Sequence, residues 1–129
     1  MNEKLKFEQE YIFKTSLNAL NNLLMTPSGL SEWFADNVNI KDDIYTFIWD
    51  GSMEQARLIS AKHNEHIKFQ WLEDEEEGLK TYVELKYKVD PMTKEVILNL
   101  TSFATKDEME EVQAYWESTI EGLRMTLGA

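Results

Sequence analysis

Four tryptophans, Trp33, Trp49, Trp71 and Trp116, are the residues of this chain best equipped to hold another molecule. Each joins a large apolar ring to a single N–H, so it can line an apolar pocket and still orient what enters. The same rings can simply fill a core. Trp116 falls at the spacing of a helix's buried stripe, which favours packing, whereas Trp33, Trp49 and Trp71 stand close to element ends, where wall and filler are both open. Catalytic parts are scarce. With no cysteine there is no thiol nucleophile, disulfide or zinc–thiolate site, and no G-x-S-x-G, phosphate loop or dinucleotide fingerprint occurs. His63 and His66 bracket a turn, where they are expected to face solvent without a third metal ligand. The acids from Glu73 to Glu77 lack the alternating pattern that wraps calcium, so they read as a solvated hairpin that also discourages edge pairing. Polar side chains with a chance of an interior place are Gln9, Gln55, Arg57, Ser60, Thr101 and Ser102. Arg57 is the one to inspect first, because a charge among apolar walls would mark a function; a surface strand position is its expected place.

These side chains need a scaffold, and the composition bounds it. A chain of 129 residues, 43% hydrophobic and 29% charged, suits one soluble domain spanning 1–129 with a single core. Its formal charge of −11 repels phosphate backbones and anionic membranes, so nucleic acid is not an expected partner. The N-terminal stretch M-N-E-K-L-K-F-E-Q-E has no apolar signal core, and no run approaches the roughly 18 apolar residues of a membrane span. The expected compartment is the cytoplasm.

Period-two alternation of Leu5, Phe7, Tyr11 and Phe13 predicts a half-buried strand over about residues 4–14, its apolar face interrupted by Gln9. Ser16 caps a short helix carrying Leu17, Leu20 and Leu24, and Thr26 with Pro27 opens a second through Phe34. Strands then follow at 38–40, 44–49, 53–62, 67–71, 83–89 and 96–100, separated by turn signals such as Asp50-Gly51 and Asp90-Pro91. The inward candidates on them are Phe69, Trp71, Leu85, Tyr87, Leu98 and Leu100. Last, Thr105 to Glu108 fits a capping box, and Met109, Val112, Trp116, Ile120, Leu123 and Leu127 form one apolar stripe ended by Gly128, with Tyr115 on its flank.

A curved antiparallel sheet needs a cover, and only residues 106–127 are long enough to lie across it. The order strand, two helices, six strands, helix (β-α-α-β-β-β-β-β-β-α, class α+β) resembles the helix-grip fold of the START-like, or SRPBCC, superfamily. The resemblance is carried by T-P-S-G-L-S-E-W-F-A-D-N-V at 26–38, W-D-G-S-M-E-Q-A-R-L at 49–58, I-K-F-Q-W at 67–71 and Y-W-E-S-T-I-E-G-L-R at 115–124. Within the superfamily it is most similar to the activator homologues of the heat-shock-ninety ATPase and their bacterial START-like relatives. These are fold motifs without catalytic residues.

The resemblance implies a cavity between the C-terminal helix and the concave sheet, its end closed by the two short helices. Candidate lining residues are Trp33, Phe34, Trp49, Phe69, Trp71, Tyr87, Leu98, Tyr115 and Trp116. The expected occupant is a small apolar ligand bound without catalysis, cofactor or metal. A protein-interaction module of the ATPase-activator kind and a cyclase- or hydrolase-like enzyme using the same cavity are the alternatives. The expected state is a monomer or weak homodimer.

Overall fold

The computed structural model describes residues 3–129. The chain opens with β1 (Lys4–Phe13), α1 (Leu17–Met25) and α2 (Pro27–Trp33). It continues through β2 (Asn37–Lys41), β3 (Ile44–Trp49), β4 (Ser52–Lys62), β5 (His66–Trp71), α3 (Leu72–Glu76), β6 (Val83–Val89) and β7 (Val96–Thr105), and ends in α4 (Met109–Leu127). The strands form one antiparallel sheet in the order β1-β7-β6-β5-β4-β3-β2. β2 to β7 make a meander, and β1 returns to pair along β7 from Lys4 opposite Thr105 to Phe13 opposite Val96. The alternation and the terminal stripe predict these strands and this helix, and their arrangement is the α+β helix-grip architecture that the resemblance implies.

Side-chain alternation decides which face is covered. Val96, Leu98 and Leu100 of β7 turn inward and are fully buried, and from α4 Trp116, Ile120 and Leu123 meet the same core. Gln9, which breaks the apolar face of β1, is put to use. Its amide nitrogen donates to the Gln113 carbonyl of α4 at 3.2 Å, and its amide oxygen accepts from the Tyr11 hydroxyl at 2.8 Å.

The two short helices are fixed by their starts. The Ser16 hydroxyl accepts from the Ala19 N–H at 3.1 Å, and the Thr26 hydroxyl oxygen accepts from the Gly29 N–H at 2.9 Å, with Pro27 at the first helical position. Because α1 runs into α2 without a linker, their backbones nearly touch. A Cβ at Gly29 would overlap the Asn22 carbonyl oxygen and stand 2.7 Å from Leu23 Cα, so only glycine fits there.

Three expectations change. The acidic run is not a solvated hairpin: Leu72–Glu76 is helical, with Glu73, Asp74 and Glu75 in the first turn, where the helix dipole favours acids. It guards no sheet edge either, because β5 lies between β4 and β6 and the edges are β1 and β2. The capping box at 105–108 forms a 3-10 turn, Lys106–Glu108, and the Thr105 hydroxyl donates to the Glu108 carboxylate at 2.9 Å instead of capping an N–H, so α4 begins at Met109. Of the two histidines, His63 is exposed as expected but hydrogen-bonded, and His66 is not exposed. Asn21 accepts at its amide oxygen from the Asn64 N–H (2.8 Å) and the Tyr87 hydroxyl (2.6 Å), which leaves its NH₂ to donate to His63 Nδ1 at 2.8 Å. His66 is half-buried, its Nε2 3.0 Å from the Ser60 hydroxyl.

Candidate functional site

The space between α4 and the sheet is divided in two by Trp116. On one side, Phe34 at the end of α2 stacks on the Trp116 ring (centroids 5.7 Å apart, planes 13° apart) and meets Phe47 and Trp49 edge-on at 4.9 and 5.5 Å. Two indole N–H groups fasten this end: Trp33 Nε1 donates to the Leu23 carbonyl and Trp49 Nε1 to the Phe34 carbonyl, each at 2.8 Å. About 10 Å³ of space remains among these rings, too little for more than a single water. That half is core.

On the other side of Trp116 lies an open cavity of about 470 Å³. Its apolar walls come from Trp49 on β3, Trp71 on β5, Val83 on β6, and Val112, Tyr115 and Trp116 on the first half of α4. Its polar lining comes from Lys4, Ser52, Glu54, Asp74, Thr81 and Ser102.

Helix α3 supplies the deepest polar contact. Asp74 is 6% exposed; one carboxylate oxygen accepts from Lys4 Nζ at 2.8 Å and the other from the Thr81 hydroxyl at 2.6 Å. Lys4 is thereby neutralised where it borders the cavity. Glu54 stands on the same face of β4 as the fully buried Ala56, paired in register with Phe47, but is exposed where the cavity opens. Burial raises its carboxyl above the ordinary value, Glu73 and then Asp74 push it further, and Lys4 opposes them. Burial also raises the Tyr115 hydroxyl, with a smaller upward push from Glu54 against the lowering effect of Thr119. Among the described residues Glu54 has no ion pair or hydrogen bond of its own. The site thus offers a carboxylate without a hydrogen-bonded nucleophile beside it.

Of the residues singled out in the sequence, Trp49, Trp71, Tyr115 and Trp116 line the cavity. Trp33, Phe34 and Phe69 surround the filled half, Leu98 is fully buried, and Tyr87 is spent on Asn21. Among the polar candidates Ser102 alone reaches the cavity. Gln9 ties β1 to α4, Gln55 donates to the Thr46 hydroxyl at 3.1 Å, and Ser60 meets His66. Thr101 alternates with Ser102 onto the opposite face of β7. Arg57 takes its expected surface place, donating to Glu75 at 2.8 Å and to Asp43 at 3.3 Å. Sequence reasoning missed the polar Lys4, Ser52, Glu54, Asp74 and Thr81 and the aromatic Tyr82 and Phe103. For Glu54 a signal was present, since Glu54, Ala56 and Leu58 alternate on one face of their strand. Among the described residues no three His, Asp or Glu side chains are grouped to hold a metal ion, and no helix is long and apolar enough to cross a membrane.

Residues 1–129 match the family described as the START-like superfamily domain. Solved structures agree. BfR322 from Bacteroides fragilis is 33% identical with a TM-score of 0.68, covering 98% of this chain and 92% of that one. The Aha1 dimer from Colwellia psychrerythraea is 15% identical with a TM-score of 0.82, covering 95% and 96%. MLL2253 from Mesorhizobium loti is 15% identical with a TM-score of 0.78, covering 96% and 97%. A search of curated protein sequences finds no match to this chain.

Proposed function

The chain belongs to the START-like superfamily, and on that premise we propose that it is a non-catalytic domain that binds a small, largely apolar molecule in the cavity between α4 and the sheet. One observation carries this reading: the open space of about 470 Å³ is walled by three tryptophans, two tyrosines and a phenylalanine. That volume falls within the roughly 300–1,000 Å³ of small-molecule sites, and the mixture of aromatic walls with a few polar groups is the usual chemistry of such sites. Trp49, Trp71, Tyr115 and Trp116 are the contact residues.

The alternatives have less behind them. The most exposed apolar side chains, Met53, Met92 and Met125, stand on β4, on the β6–β7 turn and on α4, so they do not belong to one element offered to a protein partner. A cyclase- or hydrolase-like activity would need both an acid and a base free to act, and with both oxygens of Asp74 engaged Glu54 is the one unengaged carboxylate among the described lining residues.

Native mass spectrometry of freshly purified protein, followed by organic extraction, tests for a carried ligand. In parallel, the neutral fluorescent probe N-phenyl-1-naphthylamine is titrated into the protein. Binding to the natural chain and its loss in Val112→Trp, which fills the cavity from α4, is the expected result. An apo mass together with no probe binding would sink the proposal.

A further inference from the structure

The cavity's polar lining is unbalanced. Three charged side chains reach it, Lys4, Glu54 and Asp74, and two of them cancel through the 2.8 Å contact between Lys4 Nζ and Asp74. Glu54 is left over: it borders the cavity from β4, is itself exposed at the opening, and has no ion-pair partner among the described residues. At that opening Glu54 keeps contact with water, and the wall beside it removes only part of its hydration. The neighbouring carboxylates of Glu73 and Asp74 also disfavour its charge. The same cavity is lined by aromatic side chains, among them Trp49, Trp71, Tyr115 and Trp116, whose ring faces attract cations and offer nothing to an anion.

Two further groups are unused. Ser102 and Trp116, 5% and 3% exposed, both line the cavity, and neither side chain has a hydrogen-bond partner among the described residues. One offers a hydroxyl and the other an indole N–H, which suit a neutral oxygen on a bound molecule. The lining reaches from Ser102 on β7 to Trp49 on β3, four strand spacings apart, or roughly 19 Å measured along the sheet. The occupant that fits is elongated.

Resting on the ligand-binding reading above, we propose that the cavity selects an elongated apolar molecule bearing one protonated amine, with the ammonium seated at Glu54 against the cavity's aromatic rings. A carboxylate or phosphate head is disfavoured, because the one cation at the site is already matched by Asp74 and the chain as a whole carries −11. The raised carboxyl of Glu54 agrees with this assignment, since a bound cation would relieve the repulsion from Glu73 and Asp74.

Decylamine, decanol and decanoate, each below its micelle concentration, form the test set because they share a tail and differ only in the head. Binding is read by isothermal titration at neutral pH. The amine is expected to bind about ten-fold more tightly than the alcohol, the size of one partly solvated ion pair plus a cation–π contact, and decanoate more weakly than either. Glu54→Gln should bring the amine down to the alcohol's affinity while leaving the alcohol unchanged, and Glu121→Gln, on the exposed face of α4, should leave the preference intact. Equal binding of amine and alcohol, a preference for decanoate, or a preference that survives Glu54→Gln would overturn the amine assignment and leave the cavity reading standing. Failure of all three probes to bind would overturn both.

Discussion

Phe34→Ala should remove most of the stability margin of this domain, and the reason is the position of the ring. Phe34 is 6% exposed and contacts four aromatic rings, those of Trp33, Phe47, Trp49 and Trp116, with centroids 4.9 to 5.7 Å away. Truncating a buried phenylalanine costs about 3–5 kcal/mol through lost transfer energy and the void left behind. The surrounding rings are held by sheet, helix and indole hydrogen bonds, so the void collapses poorly and a value of about 4 kcal/mol is expected. At an unfolding entropy of about 2.1 cal/mol/K per residue, that loss lowers Tm by roughly 15 °C in a chain of 129 residues. Urea unfolding followed by far-UV circular dichroism measures it free of changes in tryptophan emission, and an unchanged m-value would show that the unfolded reference is the same. The cavity lies beyond Trp116 and keeps its other walls, so probe binding should change by no more than a few-fold. A stability loss under about 1.5 kcal/mol would refute the reasoning, because Phe34 would then be a loosely held gate and not a seal.

The Lys4–Asp74 pair is next. Lys4→Met strands a buried carboxylate and should cost about 2–3 kcal/mol, whereas Lys4→Met combined with Asp74→Leu should cost less than the single change; a double-mutant cycle in urea checks this non-additivity. For Tyr87, burial pushes the hydroxyl up to about 12 from its ordinary 10.0. A raised folded-state value favours the neutral phenol, so its contribution is complete below about pH 10 and is lost as pH climbs through about 12. Tyr87→Phe should therefore show a shallower alkaline fall in stability, and near neutrality it should lose about 1 kcal/mol with the hydrogen bond to Asn21.

Much of the scaffold is written locally. The caps at Ser16 and Thr26, the proline at the start of α2, the period-two strands and the stripe on α4 each depend on residues within a few positions of one another, and all formed where the pattern placed them. Local signals failed where distant partners decided. The run at 73–77 became a helix because Arg57 on β4 takes up Glu75 and Lys4, seventy positions away, takes up Asp74. The capping box at Thr105 gave way to a 3-10 turn when its two side chains bonded each other.

The aromatic residues mark the boundary between what the two levels specify. Composition and spacing require Trp33, Phe34, Trp49, Phe69, Trp71 and Trp116 to leave water, because each buries a large apolar area. They do not say which rings meet each other and which face open space, since the same alternation serves a wall and a filler equally well. Tertiary structure decides it by bringing α2 onto one end of the α4–sheet interface, where Phe34 reaches Trp116 and the volume closes. At the other end the five-residue α3 contributes Asp74 to the lining without filling the space, so Trp49, Trp71 and Tyr115 border the cavity with Glu54 and Ser102. Enclosed volume is a property of elements far apart in the chain, from Lys4 to Trp116, and only the folded arrangement sets it.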